Sequence, residues 1–247
     1  MAGKAKQSIV DVIQVAKMIV LIGIGVFLSV YVVENPQDSM VERLVSYDKI
    51  TTLLIQHLQI VGVSCSLAIV TAIPAGILLT RSKFKKYAPR VIGIVNIGQS
   101  VPSLAIVALS VGLLGVGAMT AVIALWVYSL LPILNNTLTG INELDRSIIE
   151  AANGMGMNPK RILFKIELPL AFPLILSGIR TAVTINIGSA ILAAFVGGGG
   201  LGNLIIAGNN ISRWQVVVLG AVLPVIMALV VDTGFDVLEQ HSRAKYN

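Results

Sequence analysis

The sequence predicts an all-α polytopic membrane protein of about six transmembrane helices. Three observations carry that prediction: a sparse charge content, a high mean hydropathy, and long apolar runs separated by short polar connections. Of 247 residues, 55% are hydrophobic and 12% charged, and the mean hydropathy is +0.88. A soluble domain carries about 25% charged residues, so too few are present here to build a water-facing surface. Aromatic residues make up 5% and glycines number 23. That balance favours close approach of helix backbones over packing of bulky side chains.

A spanning helix needs about 20 apolar residues to cross a hydrocarbon core of roughly 30 Å. Runs at 12–33, 53–80, 91–114, 118–139 and 174–196 reach that length, as does 216–231 with its flanks. The third and fourth are separated only by Gly115, Val116 and Gly117. The first run loosely resembles a signal peptide, but it lacks a small-residue cleavage site, so a retained helix is expected. Pro74, Pro102, Pro132 and Pro224 fall within spans. Each removes a backbone hydrogen bond, serving either as a pivot or as a packing feature whose freed carbonyl a neighbour satisfies.

Charge location sets the orientation. With six alternating spans, Lys4, Lys6, Lys17, Arg81, Lys83, Lys85, Lys86 and Arg90 share one side. Arg146, Lys160, Arg161, Lys165, Arg243 and Lys245 join them, against Arg43, Lys49 and Arg213 opposite. The positive-inside rule therefore places both termini in the cytoplasm. The acidic segment 34–48 is expected outside.

The net charge of +6 is spread over these connections and forms no basic domain, which argues against nucleic acid as a partner. Cys65 is the one cysteine, so an intrachain disulfide and a Cys/His metal cluster are both excluded. His57 is read as an interfacial or packed side chain, with ligation as the alternative. No nucleophile–base pair suggests an intramembrane enzyme. Arg180 is the single charge well inside a span, where snorkelling to the interface is open to it. Gln99, Asn135, Asn136 and Asn186 either line an aqueous path or bond between helices. A stand-alone secondary transporter or channel would place ionisable groups near the midplane. The spans are nearly free of carboxylates, and Asp232 and Asp236 sit near a span end.

The connection 140–170 is too long for a minimal turn between antiparallel helices. It reads as two short helices. Asp145 caps the first, and Gly154 and Gly156 stop it in a left-handed turn. Asn158 and Pro159 open the second, which is expected to end at Leu168 and Pro169. Ala151, Ala152, Gly154 and Gly156 leave a surface free of bulk, suited either to a close protein contact or to the bilayer surface.

Glu150, Ala151 and Ala152, then Gly156, Ile166, Leu168 and Pro169 at their fixed spacing, resemble the EAA loop of ABC-importer permeases at every specified position. The runs 98–105, 128–137, 178–188 and 199–202 are similar to the osmoprotectant permeases, which serve glycine betaine, carnitine and choline. The resemblance covers residues 50 to 235. It implies a type I permease fold, with residues 1–49 an N-terminal helix and external loop, 50–240 the transmembrane domain and 241–247 a cytoplasmic tail. It also implies a second permease chain, identical or sister, two cytoplasmic ATPase subunits, and an extracellular or periplasmic solute-binding protein. Glu150, Ala151, Ala152 and Gly156 would meet the ATPase, with Ile166, Leu168 and Pro169 completing the loop. Gln99, Pro102, Tyr128, Asn135 and Asn186 are the translocation-path candidates.

No GxxxxGK[ST] phosphate loop occurs, so no cofactor is assigned to this chain and ATP-Mg is expected on the partner ATPase. The glycine-rich run 197–202 lacks the lysine and is expected to be a flexible gate loop on the outer side. Related readings are a permease for methionine or another amino acid. Quaternary ammonium groups are held by aromatic cages, and Trp126, Tyr128 and Phe195 are the aromatics at suitable depth. That scarcity predicts weak binding along the pathway.

Overall fold

The structure, a computed structural model, describes the backbone of residues 2–246 and the side chains of residues 12–242. Its helices are α1 (Ala2–Glu34), α2 (Ser39–Leu44), α3 (Tyr47–Thr80), α4 (Ala88–Ser100), α5 (Ser103–Leu114) and α6 (Ala118–Asn142). They continue as α7 (Arg146–Gly154), α8 (Pro159–Ile162), α9 (Leu168–Ser189), α10 (Gly202–Asn210) and α11 (Trp214–Tyr246). Among the described residues there is no β-strand, because lipid offers the backbone no partners and each span must satisfy its own.

Five helices, α1, α3, α6, α9 and α11, are each long and apolar enough to cross a membrane. The third expected span is not one helix. It breaks between α4 and α5, which meet at 98°. The cause is local: Pro102 has no N–H and pushes the residue before it out of the helical region, and Val101 is extended with ψ of 133°. The pair still runs from one end of the bundle to the other. It starts beside Arg81, which pairs with Glu167, and ends where the Gly117 N–H donates to Val196 O at 2.7 Å.

α3, α6 and α9 form the centre, with α11 against α9 and α10, and α1 against α11. Apolar clusters fill the interfaces, for example Ile60, Leu125 and Ile187 in one half and Ala68, Ile133 and Ala182 in the other. Helix backbones come close at Gly178, where an added Cβ would lie 2.7 Å from Pro132 O.

The segment 34–48 contains α2, capped by Asp38, which accepts from the Met40 and Val41 N–H groups at 2.9 and 3.0 Å. The Val41 bond, and then Arg213 at 2.5 Å, hold the Asp38 carboxyl below the usual carboxylate range. The glycine-rich run 197–202 is buried from Gly200 onward. Gly199 and Gly200 have φ of 84° and 85°, the Gly200 N–H donates to Gln56 Oε1 at 3.1 Å, and Gly202 lies directly on the Ile191 carbonyl. His57 is fully buried beside it, its Nε2 bonded to Ile187 O at 2.9 Å.

The side chains of Lys4, Lys6, Arg243 and Lys245, counted in the orientation above, lie outside the described residues. Lys85 and Glu42 are exposed near opposite ends of the bundle, so single cysteines there test the orientation in a Cys65→Ala background. A membrane-impermeant thiol reagent on intact cells is expected to label Glu42→Cys and spare Lys85→Cys. The reverse pattern would invert the topology.

Candidate coupling loop and translocation path

The connection between α6 and α9 folds as expected through Gly156. Asp145 Oδ1 accepts from the Ser147 N–H at 2.9 Å and caps α7. That backbone bond also keeps the Asp145 carboxyl below the usual range. At the other end, the Gly156 N–H donates to Asn153 O at 2.9 Å and the Met157 N–H to Ala152 O at 3.1 Å. This paired closure requires a left-handed residue, and Gly156 supplies it with φ of 74°. Asn158 Oδ1 then accepts from the Arg161 N–H at 2.8 Å, and Pro159 opens α8.

Leu168 and Pro169 do not end a helix. α8 passes through a π-helical turn, Leu163–Glu167, directly into α9. In a regular α-helix a proline ring collides with the carbonyl four residues back, and the wider turn ahead of Pro169 absorbs that collision. The chain from Pro159 onward is therefore helically continuous with a membrane-length helix, and α7 joins it through the turn 155–158. Glu150, Ala151 and Gly156 are exposed, whereas Ala152 is fully buried, so the surface free of bulk is narrower than expected. Ile166, Leu168 and Pro169 are half-buried.

Two contacts here were not read from the sequence. Glu167, an unspecified position of the loop pattern, pairs with Arg81 through Nη2–Oε2 at 2.5 Å and Nη1–Oε1 at 3.3 Å. The fork ties the end of α3 to the start of α9. A cavity of about 310 Å³ lies beside it, lined by Arg81, Lys85, Arg146, Glu150 and Glu167 among others. The second is Arg180, whose charge is paired within the bundle. Its guanidinium grips Asp232 at 2.6 and 2.9 Å and reaches Asp236 at 2.9 Å.

The path candidates separate by environment. Gln99 is half-buried near the end of α4, Pro102 is exposed at the break, and Asn135 is exposed on α6. The Tyr128 hydroxyl donates to the Val101 carbonyl at the break, and its ring is buried. Asn186 is fully buried and bonds between helices, its Nδ2 donating to Ser64 Oγ at 3.0 Å and Ser129 Oγ at 2.6 Å. It ties α3, α6 and α9 together. Of the three aromatics, only Phe195 has an exposed ring, at 59%. Trp126 donates to Thr71 Oγ1 at 3.0 Å. Among the described residues no group of His, Cys, Asp and Glu could hold a metal.

Residues 72–245 match the family described as the binding-protein-dependent transport system inner membrane component. The chain belongs to this family. Its curated relatives include transport permease proteins. The choline transport system permease protein OpuBB of Bacillus subtilis (strain 168) is 45% identical over 185 residues, covering 75% of this chain and 84% of that protein. The carnitine transport permease protein OpuCB of Listeria monocytogenes is 44% identical, covering 74% and 84%. The osmoprotectant import permease protein OsmY of Salmonella typhimurium is 42% identical, covering 72% and 75%. In fold, a chain of the inward-facing MetNI methionine ABC transporter superposes with a TM-score of 0.71 and 24% identity, over 78% of this chain and 96% of that one. The permease is thus a multi-pass membrane component and not an enzyme, built on the type I importer fold.

Proposed function

We propose that this permease is the translocation subunit of an ATP-driven importer for quaternary-ammonium osmoprotectants such as glycine betaine, carnitine or choline. The observation that carries the solute class is the agreement among relatives at 42–45% identity, whose names specify choline, carnitine or osmoprotectant import. The likeness to the methionine transporter is one of fold and does not favour methionine. An extracellular binding protein delivers the solute, and two permease chains enclose the path. Cytoplasmic ATPase subunits hold ATP and magnesium and engage Glu150, Ala151 and Gly156. Their closure moves α7, and the unbroken chain from α8 to α9 carries that motion into the membrane. Gln99, Pro102 and Asn135 are proposed to line the path near the 98° break, while Tyr128 and Asn186 hold its walls.

Recognition belongs to the binding protein on this reading. One desolvated cation–π contact is worth about 2 kcal/mol, and of Trp126, Tyr128 and Phe195 only Phe195 offers an open face. Micromolar affinity needs about 8 kcal/mol. The permease–ATPase complex without binding protein should therefore bind betaine-like solutes with a Kd in the millimolar range or weaker. Uptake into proteoliposomes should require binding protein and ATP, and should prefer betaine, carnitine or choline over methionine. Calorimetric micromolar binding by the complex alone would overturn the first expectation, and methionine-selective uptake the second.

A further inference from the structure

Arg180 sits 12 positions into α9, or roughly 18 Å along it, and is the meeting point of three helices. Its Nε and Nη2 fork onto both Asp232 oxygens, its Nη1 reaches Asp236 at 2.9 Å, and Glu239 Oε2 lies 3.5 Å away. The three carboxylates fall on one face of α11, spaced four and three residues apart. Asp236 also accepts from Gln14 Nε2 of α1 at 2.9 Å and from Gln240 Nε2 at 2.9 Å. α9, α11 and α1 are thus joined at one level through charged and polar groups. On the far side of α11 the packing is open. A groove of about 710 Å³ separates α1 and α11 from α3, lined by apolar side chains such as Ile22, Val26, Leu58, Met227 and Val230.

We propose that Arg180 is a positioning residue for coupling: with Asp232 and Asp236 it forms a strut that makes α9, α11 and α1 move as one body. The idea rests on the reading that α7 receives the ATPase motion. That motion enters α9 through the π-helical turn, and α9 is tied to α11 by a forked ion pair that is costly to break. A guanidinium this far along a span without its carboxylates, or the reverse, is an uncompensated charge. Sliding of α11 past α9 would expose that cost, whereas joint motion against the open groove exposes none. The strut therefore directs the displacement of the coupling loop toward α11 and α1, and away from independent movement of α9.

Two measurements on the assembled importer test this. In the first, Arg180→Gln is compared with Arg180→Lys in proteoliposomes containing ATPase and binding protein. Solute imported per ATP hydrolysed should fall at least tenfold in Arg180→Gln and recover in part in Arg180→Lys, which keeps the charge but not the fork. Unchanged coupling in Arg180→Gln would overturn the strut. In the second, Arg180→Cys and Asp232→Cys in a Cys65→Ala background are joined by a short bis-methanethiosulfonate reagent. The covalent link should restore uptake at least tenfold over the unlinked double variant. Uptake that stays at the unlinked level, or is lost on linking and regained on reduction, means that the helices slide, and the proposal fails. This arm keeps its meaning if Arg180→Gln does not accumulate. The coupling-loop reading fails separately, if Gly156→Leu retains full coupling, whatever the linked variant does.

Discussion

Gly156→Leu is expected to accumulate in the membrane at the parental level and to lose ATPase association or solute-stimulated ATP hydrolysis. The backbone at Gly156 has φ of 74°, and a residue with a β-carbon there carries about 1–2 kcal/mol of strain. Within the chain a Cβ at this position meets no atom within 4 Å, so no clash opposes folding or insertion. The second cost arises only when a partner closes on the exposed turn, where an overpacked contact typically costs ~1–3 kcal/mol. Their sum exceeds the ~1.4 kcal/mol that shifts an equilibrium tenfold. Gly156→Ala isolates the backbone part and should weaken association less. Glu150→Ala should be milder still, since an exposed charge contact is worth under about 1 kcal/mol. Co-purification of the ATPase with each variant, alongside stimulated hydrolysis in proteoliposomes, measures both effects. Full assembly and full coupling in Gly156→Leu would remove the coupling role from this turn.

The turn at Gly156 was legible because its signals are local. Asp145, Gly156, Asn158 and Pro159 each act on backbone groups within three or four positions, and the structure places them in those roles. The spans were legible for a related reason, since hydropathy counts residues along the chain and needs no partner. What such counting cannot sense is angle. The run 91–114 carries no charge, yet Val101 and Pro102 turn it by 98°. Proline itself was ambiguous. Pro102 breaks a span, whereas Pro74 and Pro132 lie inside continuous helices, and Pro169 follows a π-helical turn that lets the helix continue.

Partners far apart in sequence were out of reach. Arg180 and Asp232 are 52 positions apart and Arg81 and Glu167 are 86, and nothing in composition or spacing pairs them. One signal could have pointed to the first pair. An arginine inside a span needs compensation, and Asp232 and Asp236 are carboxylates near the matching end of the next span. Asn186 was open between lining a path and bonding between helices, and only the convergence of Ser64 and Ser129 on it from two other helices decides its present bonding.

Gly178→Leu is expected to abolish accumulation of folded permease, in contrast to Gly156→Leu. Glycines in this chain meet opposite surroundings. At Gly112 an added Cβ has nothing within 4 Å, whereas at Gly178 it would lie 2.7 Å from Pro132 O and 2.8 Å from Asn136 Cβ. α6 and α9 therefore touch backbone to backbone at the centre of the bundle, the close approach that small residues permit in lipid. Pro132 O is main chain and cannot swing aside, so the two helices must separate to admit even a methyl group. Overpacking of a tight core typically costs ~1–3 kcal/mol, and separation here would also disturb the Asn186 hydrogen bonds to Ser64 and Ser129. Gly76→Leu should be comparably severe, because the added Cβ would lie 2.7 Å from Thr137 Cγ2 and 2.8 Å from Thr137 Cβ, an atom fixed to the α6 backbone on a fully buried side chain. Monodisperse protein recovered by fluorescence-detected gel filtration should fall at least tenfold for Gly178→Leu and for Gly76→Leu, and little for Gly112→Leu. If Gly178→Leu matched Gly112→Leu in yield and thermal midpoint, α6 and α9 could not be in backbone contact at this point.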